Sequence, residues 1–395
     1  MALEHNAVLK DMRLQEEASV LLKKEALTYF FPNVSAVGIA FEAENPVISL
    51  DLGVLGSMAF LKNGMLYSAM ALQPVFMGGK ILYSNKLANV GVQASRLFTR
   101  QSEDQVLAQT DEYYWTLVTL YESRKTVAVM QNVLDSLYKD VTRGKEAGVL
   151  GQNDVLKVVL QRNKLKSQNV ELENGISLCT MALARQLGYR VDSLDGFDIV
   201  VPSLIIPSAP QDDYMEPLEA LAGRTEYELL KVNVRAAQLR KRIEVSNYMP
   251  KVAVGAAYYY ENLLDKDHWN GALVAGVQVP ISDWWRGTYA IKQKKIDQQR
   301  AEIQQEDGHQ QLLMQIQQAW GSFVESYEQW QLACVSVEAS EENARLNREY
   351  FKAGTVSLTE LLAAEGLLQV SYDDRVEAFK KYQLSRSVYM QVTGR

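Results

Sequence analysis

Two similar stretches decide the fold: EAGVLGQNDVL at residues 146–156 and KAGTVSLTELL at residues 352–362. Each contains a glycine, Gly148 or Gly354, that follows a long run of helix-forming residues. Glycine readily adopts the left-handed backbone conformation that ends a helix. An acid, Asp154 or Glu360, follows six residues later, and the helix dipole favours a carboxylate near a helix start. Each stretch therefore predicts two helices joined by a tight turn.

The two turns lie 206 positions apart, and other chain-breaking residues keep the same offset. Pro74 and Pro280 differ by 206, as do Gly188 and Gly394. Such a long, uninterrupted offset predicts an internal duplication. The predicted division is a first structural repeat at residues 1–188 (helix, β-hairpin, long helix pair), a linker or equatorial segment at 189–223, and a second repeat at 224–395.

The predicted fold class is mainly α with a small β part. Residues 80–144 contain no proline, and at 1.5 Å per residue one helix over this range would be roughly 95 Å long. The predicted helices are 3–29, 80–144, 153–187, 224–246, 286–351 and a last helix that ends at 393. Alternation and turn residues predict four strands, at 34–41, 65–72, 252–260 and 272–279.

Apolar residues on the second long helix alternate between spacings of four and three, the 3.5-residue period of a coiled coil. They are Ile316, Trp320, Phe323, Tyr327, Trp330, Cys334 and Val337. The aromatic members could form a binding platform, but a packed helix seam is the simpler interpretation.

Composition excludes several functional classes. The net charge of −7 argues against a nucleic-acid partner. Two unpaired cysteines and three scattered histidines predict no disulfide framework and no metal site. No catalytic Ser/His/Asp set, phosphate-binding loop or dinucleotide fingerprint occurs, so the chain is predicted to be no enzyme, with no catalytic residues and no cofactor.

The sequence also bears on membrane association. The sequence contains no run of 18 consecutive apolar residues, so no membrane-spanning helix is predicted. The first residues lack a secretory signal, yet a helical pattern is under way at Leu3, which suggests that an upstream segment was removed. Two hairpins per chain leave open strand edges, and several chains that pool their hairpins could close a barrel. This predicts a homo-oligomer with a route into a membrane.

Several stretches in this order and spacing resemble the TolC-type outer-membrane efflux protein family, and the resemblance covers nearly the whole chain. The stretches are ALEHN at 2–6, FP at 31–32 and MP at 249–250, QPVF at 73–76 and VPI at 279–281, YFKAGTVSLTELL at 350–362, and VTG at 392–394. The stretch at 350–362 is the most specific of them.

The resemblance implies a homotrimer in the bacterial outer membrane. Four strands per protomer would complete a 12-stranded β-barrel in contact with outer-membrane lipid, and the long antiparallel coiled-coil helices would form a periplasmic tunnel. The implied function is a passive exit duct of a tripartite efflux or type I secretion system. The implied partners are a periplasmic adaptor (membrane fusion) protein and an inner-membrane pump. A soluble coiled-coil scaffold or adaptor without a transport role is the alternative.

The resemblance also assigns residues. The turns at Gly148 and Gly354 would be the helix-hairpin tips at the periplasmic entrance, and Asp154 and Glu360 would line it as an acidic ring. Some family members carry a second acid where this chain has Ala363, so that ring could be weaker here. Simple stabilisation of a helix start is the other interpretation of both acids.

Four further residues belong to the ends of the strands. Pro74 and Pro280 are predicted to mark the strand-to-helix junctions. Trp284 and Trp285, just after the second junction, are predicted to be membrane-interface aromatics, with ordinary packing as the alternative.

Overall fold

The structure is a computed structural model that describes residues 1–45, 48–51, 57–60, 63–192, 199–200, 207–262 and 267–395. In the first half the elements are α1 (Ala2–His5), α2 (Ala7–Thr28), β1 (Asn33–Glu42), β2 (Ile48–Asp51), β3 (Ser57–Phe60), β4 (Asn63–Met77), α3 (Lys80–Glu146) and α4 (Gln152–Gln186). In the second they are a short 3-10 helix (Pro210–Asp213), α5 (Pro217–Ala222), α6 (Thr225–Asn247), β5 (Lys251–Asn262), β6 (His268–Gln278), α7 (Asp283–Lys352) and α8 (Leu358–Val392).

The predicted duplication is visible in the order and length of these elements. Helix α2, strands β1 and β4, and helices α3 and α4 have their counterparts in α6, β5, β6, α7 and α8. Helices α3 and α7 have 67 and 70 residues, and α4 and α8 have 35 each. Glycines with positive φ stand at both predicted pairs of positions, Gly148/Gly354 and Gly188/Gly394. The mainly helical fold class is confirmed, while the three-part division of the chain stays a prediction.

Four strands form one antiparallel sheet in the order β1-β4-β5-β6. The four predicted strands are confirmed: β1, β4 and β5 extend beyond the predicted bounds at both ends, whereas β6 begins four residues earlier and ends one residue earlier than predicted. Strands β2 and β3 form a separate two-stranded sheet in the connection between β1 and β4. That connection is where the first repeat is longer than the second.

The predicted end of the second strand is wrong. Strand β4 continues through Pro74 to Met77, and the register to β5 shifts between Pro74 and Phe76. Proline has no N–H to donate to a neighbouring strand, and a β-bulge accommodates it. The chain turns into α3 at Gly78 and Gly79 instead, both at positive φ. A Cβ atom on Gly78 would lie 2.5 Å from the carbonyl oxygen of Ser246, so this junction requires glycine.

The chain divides into two compact units that each draw on both repeats. Unit 1 comprises Met1–Leu14, Leu97–Glu228 and Asp307–Arg395, and unit 2 comprises Gln15–Arg96 and Leu229–Glu306. Unit 2 contains the four-stranded sheet, and unit 1 contains both helix–turn–helix tips.

The predicted apolar seam on α7 is buried in unit 1. Phe323 and Ile316 are almost inaccessible to solvent, and Trp320 packs against Tyr389 of α8 with ring centroids 5.1 Å apart. The aromatic rings therefore make a packed helix seam rather than an open binding platform.

Polar contacts attach the residues around the 3-10 helix to α8 within the same unit. The Tyr382 hydroxyl donates to the carbonyl oxygen of Ser208 at 2.8 Å, and the N–H of Met215 donates to the Tyr389 hydroxyl at 2.9 Å. The tyrosines thus combine apolar packing with a hydrogen bond at the ring edge.

In the described part of the chain, no helix has both the length and the apolar character that crossing a membrane requires.

Candidate functional site

The first helix–turn–helix tip is built by local hydrogen bonds. Gly148, at φ 77, lets the N–H of Val149 donate back to the carbonyl oxygen of Gly144 at 2.9 Å. This bond satisfies a carbonyl at the end of α3 that has no partner inside the helix. Helix α4 then begins at Gln152, and the carboxylate of Asp154 accepts from the N–H of Gly151 at 3.2 Å. The predicted acid at the helix start is confirmed.

The second tip has the same plan with a fuller cap. Gly354, at φ 73, lets the N–H of Thr355 donate to the carbonyl oxygen of Tyr350 at 2.9 Å. Ser357 caps α8: its Oγ accepts from the N–H of Glu360 at 3.3 Å, and the Glu360 carboxylate accepts from the N–H of Ser357 at 2.7 Å. This reciprocal pair is a capping box. Both acids therefore stabilise helix starts, whether or not they have a second role.

A lysine connects the two helix starts. Lys157 donates from Nζ to Asp154 Oδ1 at 3.3 Å and to Thr359 Oγ1 at 3.1 Å, so α4 and α8 are linked beside both caps. Farther along the same helices, Gln369 Nε2 donates to Gln168 Oε1 at 2.9 Å. These are neutral or partly exposed contacts, so each stabilises the pairing of the helices only modestly.

An apolar cluster lies beneath these links. Its buried members are Val127, Met130, Leu134, Leu137, Val141, Val155, Val158, Leu165, Leu358 and Leu361. A groove of about 1290 Å³ opens beside the cluster, and residues of α3, α4, α7, α8 and both turns line it. Asp154, Lys157 and Gly354 are among the lining residues.

One buried ion pair joins α7 to α8 along this groove. Arg348 donates to both carboxylate oxygens of Glu365, from Nε at 2.5 Å and from Nη2 at 2.7 Å. The Glu365 side chain is only 4% exposed, whereas the Arg348 side chain is 38% exposed. The hydrogen bond to Glu365 raises the pKa of Arg348, so the guanidinium stays charged under all ordinary conditions.

The strand-end residues lie in unit 2. Pro74 lies inside β4, whereas Pro280 lies between the end of β6 and the start of α7. Trp284 and Trp285 are in the first turn of α7. Trp284 donates from Nε1 to the carbonyl oxygen of Tyr248 at 3.0 Å, and Trp285 is 81% exposed. The assignment of these aromatics to a membrane interface stays a prediction, and Trp285 is the better candidate because it is far more exposed.

Sequence reasoning missed Lys157, Thr359, Arg348 and Glu365. Lys157 was visible as a basic residue one helical turn after Asp154, a spacing that favours an ion pair. Arg348 and Glu365 gave no such signal. The positions 206 residues earlier hold Thr142 and Val159, so the ion pair has no counterpart in the first repeat.

The described residues contain no group of three or more His, Cys, Asp or Glu side chains arranged to hold a metal ion.

Comparison with known proteins identifies the architecture. The family model described as outer membrane efflux protein matches residues 217–394, from the start of α5 to just beyond α8. The match covers 178 of the 395 residues, and over them the chain is similar to the outer membrane efflux protein family. No curated protein sequence matches the chain.

Solved structures extend the likeness over the full length of the chain. VceC of Vibrio cholerae is 16% identical, with a TM-score of 0.85 and coverage of 100% of this chain and 94% of VceC. CmeC of Campylobacter jejuni is 13% identical, with a TM-score of 0.86 and coverage of 100% and 84%. The outer-membrane channel OprN is 16% identical, with a TM-score of 0.84 and coverage of 100% and 88%. At these identities the likeness shows the fold.

The family match and the fold together support an efflux channel of the outer membrane. Channels of this family are transport conduits and not enzymes.

Proposed function

We propose that this chain is one protomer of a homotrimeric outer-membrane duct. The observation that carries the proposal is the four-stranded sheet, in which β1 and β6 are the two edge strands. Over the described residues each of these strands pairs on one side only. Unpaired strand edges invite pairing with another chain, and inside a membrane they must be paired.

The strand directions suit closure by rotation. Four antiparallel strands give β1 and β6 opposite directions. Rotation about an axis along the barrel preserves direction, so β6 of one copy meets β1 of the next in an antiparallel pair. Three copies would give 12 strands, an even number like those of other outer-membrane barrels. The number of copies follows from the family resemblance.

The finer assignment concerns the transport system. We propose a passive conduit that serves as the exit duct of a tripartite efflux or type I secretion system. The sheet would span the outer membrane in contact with its lipid, and the helical part would stand in the periplasm. The tips at Gly148 and Gly354 would meet a periplasmic adaptor protein connected to an inner-membrane pump. The groove beside the tips offers such a partner apolar surface together with polar side chains such as Asp154 and Lys157.

The duct itself can be tested with the purified protein in detergent and in planar lipid bilayers. We expect a trimer that dissociates on heating and that produces discrete conductance steps. A water-soluble monomer with no conductance would instead support the coiled-coil scaffold.

A test of the proposed acidic entrance ring must distinguish the charge of Glu360 from its role in capping α8. Glu360→Ala removes the carboxylate and half of the capping box, whereas Ser357→Ala weakens the same box but keeps the charge. We expect only Glu360→Ala to lower cation selectivity or divalent-cation block, because a ring of carboxylates favours cations. Equal effects of the two variants, or no effect of either, would assign Glu360 to helix capping alone.

A further inference from the structure

The four-stranded sheet contains a band without charge on either face. In β1, β4, β5 and β6, the acidic and basic residues are Glu42, Lys251, Glu261 and His268, and all stand at strand ends. Nine residues of β5 separate Lys251 from Glu261. At about 3.4 Å per residue and a tilt of about 40°, they span roughly 23 Å of barrel height, close to the roughly 25 Å apolar band of outer-membrane barrels.

The strand register divides the band into two faces, because directly paired residues point to the same side of a sheet. We call the first the aromatic face: Tyr67, Tyr260 and Trp269 lie level with one another on β4, β5 and β6, and Tyr258 follows two residues from Tyr260. Their rings contact one another, with centroids 6.0 Å apart for Tyr67–Tyr260 and 4.9 Å apart for Tyr260–Trp269. Girdles of this kind lie at the lipid-facing surface of membrane barrels.

We call the opposite side the mixed face, and it holds most of the neutral polar groups of the band. Asn33, Ser35, Ser68 and Asn270 are there, while Gln73 is on the aromatic face with its amide donating to the carbonyl oxygen of Phe30 at 3.0 Å.

Three polar residues of the mixed face lie at one level of β4, β5 and β6, and we call them the neutral row; the residue at this level of β1 is Val37. Ser68 is paired with Tyr259, and Tyr259 with Asn270. Asn270 donates from Nδ2 to the Tyr259 hydroxyl at 3.0 Å. Apolar side chains follow on the same face, with Met70 one level and Val274 two levels from the neutral row.

We infer that the mixed face lines the lumen of the barrel, and that Ser68, Tyr259 and Asn270 place uncharged hydrogen-bonding groups at one level of three of the four strands of each protomer. This inference rests on the proposed trimeric duct. Lumens of membrane barrels are ordinarily polar, and charged rings in pores select ions. A wall of neutral hydrogen-bonding groups and apolar side chains discriminates by size and hydrogen bonding instead of charge. The cargo that fits such a wall is uncharged or amphipathic. Glu261 and His268, paired one level beyond the neutral row on the same face, carry the nearest charges, so charge selection is left to the strand ends and the helical part.

Two substitutions on β6 provide matched tests, since one is on each face. In bilayers, Asn270→Asp should leave trimeric channels intact and raise cation over anion permeability several-fold, because three carboxylates would then face the lumen. Leu273→Asp, on the aromatic face, should abolish membrane-inserted trimers, because the carboxylate would face lipid. If Leu273→Asp inserts and changes selectivity while Asn270→Asp does not, the assignment of the faces is overturned.

Thiol labelling gives a second measurement that does not depend on a buried charge. Asn270→Cys and Leu273→Cys would be prepared in a background without the native thiols of Cys179 and Cys334. A charged, water-soluble thiol reagent should reduce the conductance of Asn270→Cys and leave that of Leu273→Cys unchanged. The reverse pattern, or reaction of neither thiol, overturns the inference. If the unsubstituted protein forms no channel, the proposed duct fails and not the assignment of its faces.

Discussion

Replacing Arg348 by methionine should loosen the second helix–turn–helix tip far more than replacing a neighbouring arginine. The substitution keeps an unbranched side chain but leaves the carboxylate of Glu365 buried without its two hydrogen bonds. Breaking a fully buried ion pair costs about 3–5 kcal/mol. Because 38% of the Arg348 side chain is exposed, solvent screening reduces this, and we expect about 2–3 kcal/mol.

Hydrogen–deuterium exchange of the amides in α7 and α8 near Gly354 measures this loss locally, without requiring reversible unfolding of a membrane protein. A loss of about 2–3 kcal/mol corresponds to exchange that is about 30- to 150-fold faster through local opening. Amides of α3 and α4 near Gly148 provide an internal reference, since the first tip lacks this ion pair. Adding Glu365→Leu should recover most of the protection, because an unpaired charge is then no longer buried.

Arg345→Met is the matched control. Arg345 pairs with Glu342 and Glu349 on the surface of the same helix, where all three side chains are more than half exposed. Solvent screens such pairs, so exchange should change little. The reasoning is refuted if Arg348→Met and Arg345→Met have the same effect, or if the added Glu365→Leu deepens the loss of protection.

Two further predictions concern single positions. Gly354→Ala should destabilise the turn by about 1–2 kcal/mol and so lower the thermal midpoint, because φ is 73 at this position. An added Cβ atom would meet no neighbour there, so the backbone alone causes the loss. Gly321→Ala, within α7 and equally free of contacts, should stabilise the protein by about 0.5–1 kcal/mol. A lower midpoint for both would contradict the backbone argument. Asp373→Asn should raise the thermal midpoint at pH 7, since burial and then the charge of Asp374 raise the pKa of Asp373 above 3.8, so its ionised form opposes folding. The gain in thermal midpoint should fall as the pH drops through that raised pKa, and it should vanish below about 3.8, where Asp373 is protonated in both the folded and the unfolded state. A gain in thermal midpoint that is independent of pH would exclude ionisation of Asp373 as its cause.

The sequence by itself determined the features that depend on a few adjacent residues. Gly148 and Gly354 mark the turns because only their immediate neighbours need to be helical, and Asp154 and Glu360 cap the following helices through bonds to residues three positions away. The packed seam around Phe323 was also predictable, because a 3.5-residue spacing fixes which side of a helix is buried.

Only the tertiary structure decided the features that depend on register between distant segments. Strand β4 passes through Pro74 because pairing with β5 resumes at Phe76 after a bulge. The ion pair of Arg348 with Glu365 exists because the Gly354 turn sets the register of α7 against α8, and nothing local to either residue signals it. Local propensity depends on residues within about one helical turn of one another. These contacts instead join residues of separate elements, and they form only when those elements have packed together.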